Sequence, residues 1–224
     1  MRGLGFEREQ ERYWEHSVSY RRADHPVSVA YARPKCDLIE RYVDLPPGAT
    51  ALDVGTGNGT VFFSLAQRYR SVGIDSSRHL LRQHCARGRV VLGDARRLPH
   101  GDMAFDLVVE SCVLHHCREP ADIVTEMARV ARRAICLIEP NMLNPPSLLF
   151  HAVVREERGA LRISRAMLKA TIPREFQVAF EGAVGLVFPK RTPAWLLPVL
   201  RVFDRAWALG NVHVIVATRQ GTSD

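Results

Sequence analysis

Short, nearly continuous apolar runs alternate along the chain with stretches whose apolar residues recur every three to four positions. Ala49-Thr50-Ala51-Leu52-Asp53-Val54 is such a run; its length and weak polar alternation predict a parallel strand buried on both faces. Residues 60–66 follow with helical spacing. Comparable apolar runs cover residues 71–75, 89–95, 104–110, 133–139 and 211–218. Residues 119–132 carry Ile123, Val124, Met127 and Val130 on one helical face. Strands alternating with helices in this way predict an α/β fold with a mostly parallel, doubly wound sheet.

The flanking regions are less regular. Residues 6–22 have helical spacing and carry Tyr13, Trp14 and Tyr20. His25-Pro26 breaks that pattern, and a second helix is expected to start at Pro34 and to run through residues 35–43. Pro46-Pro47-Gly48 closes the unit. Past residue 140, Asn144-Pro145-Pro146-Ser147 reads as a turn before a helix. Helices are expected over 148–154 and 164–170, joined through Arg155-Glu156-Glu157-Arg158-Gly159. The alternation of residues 176–180 predicts a sixth strand, and residues 193–209 an apolar helix interrupted at Pro198. No internal repeat or low-complexity linker divides the chain, which predicts one domain over residues 1–224.

The first strand runs into Gly55-Thr56-Gly57-Asn58-Gly59 and then a helix start. Glycine permits a left-handed backbone and lets a ligand come close, and the free N–H groups of a helix start face that ligand. Dinucleotide folds use G-x-G-x-x-G, with pyrophosphate on the helix N-terminus. Here the spacing is G-x-G-x-G, and Asp53 stands two residues before the first glycine. A carboxylate there repels a pyrophosphate and suits a cationic group such as an amino-acid ammonium. Asp75 ends the second strand about 20 residues further on, where doubly wound folds place the acid that accepts both ribose hydroxyls. Asp75 or Ser76 could instead cap the next helix.

Leu52-Asp53-Val54-Gly55-Thr56-Gly57-Asn58-Gly59 resembles the first motif of the class I S-adenosylmethionine-dependent methyltransferases. Asp75-Ser76 resembles the second motif, and Gly93-Asp94-Ala95, ending the third strand, the next. The resemblance covers about residues 40–140 and 211–218. It implies a seven-stranded sheet of order 3-2-1-4-5-7-6 with the last strand antiparallel, N-terminal helices, and a helical insert before the final strand. It also implies S-adenosyl-L-methionine as cofactor and S-adenosyl-L-homocysteine as product. Cofactor contacts are then expected from Asp53, Gly55, Thr56, Gly57, Asn58, Gly59, Asp75 and Ser76. The Asp94 carboxylate would accept from the adenine amino group and the Ala95 N–H would meet a ring nitrogen. Glu110 and Ser111 would add further cofactor contacts, Glu110 shaping the pocket wall after strand four. By the same resemblance residues 1–45 form a helical lid bringing Trp14 and Tyr20 to the cofactor, 46–140 the cofactor-binding core, 141–210 a substrate-side insert and 211–218 the final strand.

Methyl transfer from a sulfonium is an in-line displacement with an activated leaving group, so the protein must mainly align the acceptor and exclude water. A hydroxyl acceptor benefits from a base. His115 and His116, in the loop after strand four, are the candidates, with Glu139 at the end of strand five as a third. Cys112, His115, His116 and Cys117 lack the spacing of known zinc sites and have no second pair nearby, so no metal is expected. The large apolar residues of the insert are expected to line an acceptor pocket with Arg158 and Arg162 at its rim.

Composition narrows the partners. The net charge is +7, but 28 of the 31 basic residues are arginines and they are scattered. No basic run is interleaved with aromatics, so nucleic acid is not an expected partner. Five cysteines without a paired pattern indicate a reducing compartment. The first residues lack the apolar core of a signal peptide, and no stretch approaches the roughly 18 apolar residues needed to span a bilayer. A cytoplasmic monomer or homodimer acting on a small-molecule methyl acceptor is therefore expected. Three alternatives fit less well. An NAD-dependent oxidoreductase is disfavoured by the glycine spacing and Asp53, an RNA or protein methyltransferase by the mixed-sign charge and apolar insert, and a non-catalytic homologue by the intact motifs.

Overall fold

The computed structural model describes residue 10, residues 12–15 and residues 20–221. Seven strands form one sheet in the order β3-β2-β1-β4-β5-β7-β6. They are β1 (Thr50–Val54), β2 (Arg70–Asp75), β3 (Val90–Leu92), β4 (Phe105–Ser111), β5 (Ala131–Pro140), β6 (Phe176–Val184) and β7 (Val212–Arg219). β1 pairs in parallel with β2 and β4, Leu52 standing between Val72 and Val108. β7 runs antiparallel to both β5 and β6.

The period of two along each strand divides the core. Ala51, Leu107, Val109, Cys136, Ile138 and Val214 face one side. There they meet Val27, Tyr31, Cys36 and Ile39 of α1 (Pro26–Tyr42) and Val61 and Leu65 of α2 (Thr60–Leu65). Leu52, Val54, Val108, Ile135, Leu137 and Ile215 face the other side. That side is covered by Ile123, Val124 and Met127 of α4 (Pro120–Val130), α3 being Arg78–Gln83. Each such aliphatic side chain, fully buried, contributes about 1.5–3 kcal/mol.

Three expectations need correction. Residues 26–42 form one continuous helix, not a break at Pro26 and a start at Pro34. Pro26 occupies the first turn, where its missing N–H costs nothing, and the His25 ring caps it by accepting from the Val27 N–H. Pro34 lies inside α1 and removes one helical bond, but the helix keeps a buried face on both sides of it, and Lys35 Nζ donates to the Tyr31 carbonyl beside it. The apolar stretch 193–209 is not a long helix. It holds only α7 (Leu197–Leu200) between two 3-10 turns, because Trp195, Val199 and Val202 are exposed and no buried face supports more. β6 is longer than the five residues expected, running to Val184 past a register shift between Val178 and Phe180.

The insert holds α5 (Pro145–Val153), a 3-10 segment (Arg155–Arg162) and α6 (Arg165–Ala170). Asn144 caps α5 by accepting from the Ser147 N–H, in keeping with a turn at that place. Much of the expected helix 6–22 lies outside the described residues; residues 10 and 12–15 are helical. No helix among the described residues is long and apolar enough to cross a membrane.

Candidate active site

The chain reverses direction in the sheet between β1 and β4, and a crevice opens there beyond the strand ends, as in other doubly wound sheets. A cavity of about 1430 Å³ occupies it. That exceeds the roughly 300–1,000 Å³ typical of a site for one small ligand, so it has room for two.

One end is built on the glycine loop. Gly55, Gly57 and Gly59 have φ of 67°, 55° and 90°. A Cβ at Gly55 would stand 2.2 Å from a Val113 methyl, whereas one at Gly57 would make only an ordinary contact, 3.9 Å from a Leu80 methyl. Gly57 and Ser77 N–H groups each donate to the Asp75 carboxylate at 2.8 Å. Asp75 thereby ties β2 to the glycine loop, and burial pushes its carboxyl up. Ser77, rather than Asp75 or Ser76, caps α3, its hydroxyl accepting from the Leu80 N–H. Asp94 lies at the cavity edge, paired with Arg96 at 2.8 Å, beside Ala95. Asp53 is buried under the loop and accepts from the Thr56 hydroxyl at 2.7 Å. Burial pushes its carboxyl up to about 7.

Trp14, Tyr20 and Arg21 lie at this end. The Trp14 carbonyl accepts from the Ser77 hydroxyl, and its indole packs edge-on against His116 at 4.9 Å. Asn58 donates to the Arg21 carbonyl, and Lys190 lies 3.9 Å over the Tyr20 ring. Trp14, Tyr20, Asn58, Ser76 and Ser111 all line the cavity; Gly59, Glu110 and Glu139 do not.

The two glutamates lie beneath the wall. Glu110 accepts from the Ile138 and Val113 N–H groups, and burial beside Glu139 pushes it well above the usual carboxylate range. Glu139 accepts from the Leu114 N–H at 2.8 Å and stands 2.6 Å from His115 Nδ1. The same imidazole turns its Nε2 toward Glu157 at 3.3 Å. Burial opposes charge on His115, but Glu139 and Glu157 together push it up to about 9. Burial and the neighbouring His115 hold His116 well below the ordinary histidine range, so it is neutral. Burial alone would raise Glu157, yet the three histidines around it pull it down to about 2.

Sequence reasoning missed Glu157 and His151, both on the cavity wall. Nothing in their spacing marks them, and Glu157 sits in a charged run that reads as a linker. His115, His116 and Glu157 bring ligand-type atoms within 4.8 Å of one another; Cys112 and Cys117 are not part of that group. Arg158 and Arg162 are not on the cavity wall; Lys190 and Arg191 are. Of the insert's apolar residues, Leu149, Phe150, Val153 and Phe188 line the cavity, while Trp195, Leu197 and Phe203 do not.

Residues 52–136 match the family model of the methyltransferase domain. A demethylmenaquinone methyltransferase of Roseiflexus castenholzii is 31% identical over 132 residues, covering 54% of this chain and 56% of the relative. The chain spans about half the length of the curated relatives it matches, or less. A SAM-dependent methyltransferase of Thermotoga maritima superposes with a TM-score of 0.61 at 16% identity, covering 98% of this chain and all of the other. Magnesium protoporphyrin IX methyltransferase of Synechocystis, solved with bound SAM, gives 0.57 at 16%, covering 96% and 97%. The chain has the class I S-adenosylmethionine-dependent methyltransferase fold.

Proposed function

We propose that the chain transfers the methyl group of S-adenosyl-L-methionine to a small, partly apolar acceptor. The observation that carries this is one continuous cavity with two unlike ends. At the first, the glycine loop, Asp53, Asp75 and Asp94 suit the ammonium, ribose and adenine of the cofactor. At the second, Phe150, Phe188 and Leu149 supply apolar wall around the histidine group, with Lys190 and Arg191 nearby.

In the transfer the sulfur–methyl bond breaks as the acceptor–methyl bond forms, the electron pair returns to sulfur, and S-adenosyl-L-homocysteine remains. His115 is a poor base, since two carboxylates already hold it charged. His116 is neutral and on the cavity wall, so in this reading it takes the acceptor's proton. Glu139 and Glu157 act through the histidines as positioning residues. Five free thiols support a reducing, cytoplasmic setting.

Calorimetry with S-adenosylhomocysteine, with NAD as control, tests the cofactor. Label transfer from methyl-labelled S-adenosylmethionine to a panel of hydroxylated aromatics and quinols tests the acceptor. Binding of NAD without S-adenosylhomocysteine would refute the proposal.

A further inference from the structure

The histidines at the acceptor end are arranged for more than hydrogen bonding. Each imidazole has its Nδ1 against an acceptor outside the cluster. For His115 this is the Glu139 carboxylate at 2.6 Å, for His116 the Gln10 amide oxygen at 3.0 Å, and for His151 the Ser147 carbonyl at 2.7 Å. The Gln10 amide is itself oriented, since its nitrogen donates to the Glu156 carbonyl. These partners put the proton on Nδ1 in all three rings and leave Nε2 as the inward-facing nitrogen. All three Nε2 atoms then converge on one oxygen, Glu157 Oε2, at 3.3, 3.7 and 3.8 Å.

Those separations are informative. Neighbouring ligands around a tetrahedral zinc ion, at bond lengths of 2.0–2.2 Å, stand roughly 3.3–3.6 Å apart. Metal-bound histidines also characteristically give their second nitrogen to a carboxylate or carbonyl. We propose that His115, His116 and Glu157 form a binding site for a divalent transition-metal ion of zinc's class, with His151 next to it as a further imidazole.

Charge balance favours the same occupant. Two carboxylates, Glu139 and Glu157, meet at His115 in a buried setting, and buried charges need compensation. A divalent ion held between the imidazoles and Glu157 would offset both. Imidazole and carboxylate without thiolate suit zinc, iron(II), cobalt(II) or nickel(II). Because the ligands form part of the cavity wall, the remaining coordination positions open toward the acceptor. With an ion bound, His116 Nε2 would be a ligand and no longer a base, and the ion itself would favour loss of the proton from a bound hydroxyl or enol, so it would select acceptors with an oxygen donor. Metal binding itself does not depend on the methyltransferase reading.

The test uses the full chain, stripped with chelator and titrated with Co²⁺ and Zn²⁺. One equivalent of Co²⁺ should bind with the visible d–d bands of a four- or five-coordinate ion and be displaced by Zn²⁺. Glu157→Gln, which keeps an oxygen for His115, and His116→Gln should each weaken binding at least tenfold. Binding of S-adenosylhomocysteine, measured separately, reports whether each variant keeps an intact cavity. If wild type fails to bind S-adenosylhomocysteine yet binds cobalt, the methyltransferase reading falls and the metal site stands. The proposal is overturned if cobalt binds at less than one equivalent, if binding survives both substitutions, or if thiolate-to-cobalt charge-transfer bands assign the ion to cysteines. Retained S-adenosylhomocysteine binding with no cobalt bound would show a hydrogen-bond relay only, and equally overturns it.

Discussion

Glu139 Oε2 lies 2.6 Å from His115 Nδ1, joining the end of β5 to the loop after β4 at a fully buried position. The second oxygen of the same carboxylate accepts from the Leu114 N–H. One side chain thus fixes both the backbone path of that loop and the direction in which the imidazole points.

Replacing Glu139 by alanine leaves the buried Leu114 N–H without its acceptor and the His115 imidazole with Glu157 alone. Breaking a buried pair of this kind costs about 3–5 kcal/mol. Glu139→Gln keeps one acceptor oxygen, for the Leu114 N–H or for His115 Nδ1 but not for both, and should lose less than Glu139→Ala. Urea denaturation of the two variants checks the order; equal loss in both would mean that charge, not hydrogen bonding, dominates.

Asp75→Ala should weaken S-adenosylhomocysteine binding by about 1.5–3 kcal/mol, the range for a hydrogen bond to a charged acceptor. Part of that loss is indirect, since Asp75 also holds the Gly57 N–H and so the shape of the loop. Calorimetry on the folded variant decides the point. Unchanged affinity would reduce Asp75 to a tie between β2 and the glycine loop.

The Asp53 carboxyl is pushed by burial from 3.8 to about 7. Between those values the folded chain keeps a proton that the unfolded chain has released. The corresponding stability is therefore present below about pH 4 and is lost as pH rises toward about 7. Asp53→Asn should remove this slope and melt above wild type near neutral pH. A bound ammonium would draw Asp53 back to its charged form, so S-adenosylhomocysteine affinity should rise through the same interval in wild type and stay flat in the variant. Melting curves and calorimetry at a series of pH values measure both; a wild-type melting temperature that rises from about pH 4 to 7 would contradict the assignment.

Assayed after chelation, which leaves the wild-type His116 Nε2 free, His116→Ala should slow methyl transfer by about 10²–10⁴, the usual worth of a positioned base. Its S-adenosylhomocysteine affinity should change far less, because no hydrogen bond links His116 to the glycine loop. Single-turnover rates at saturating cofactor separate the two effects. A near-normal rate would leave alignment of the acceptor as the main contribution.

Much of the cofactor end was legible in the sequence because its determinants are local. A strand that ends in Gly55-Thr56-Gly57-Asn58-Gly59 can only turn sharply into a helix start, and an acid ending the next parallel strand emerges beside it. The expected order of all seven strands, including antiparallel β7, matches the sheet observed. Errors came where local rules compete with packing. Pro34 reads as a helix start, yet α1 passes through it because residues on both sides bury the same face. Residues 193–209 read as a helix, yet most of their apolar side chains find nothing to cover.

The acceptor end was decided by tertiary structure alone. His115 and His116 stood out as residues, but their chemistry depends on what faces them. Glu139 is 24 residues away, Glu157 is 42, and His151 belongs to a helix whose docking no periodicity specifies. Hydrophobic patterning records which side of an element is buried, and spacing records which residues share a turn. Neither records which loop of an insert folds back over which strand end. That choice set His115 between two carboxylates and turned three imidazole nitrogens toward one oxygen, and with it set the charge, basicity and ligand character of the site.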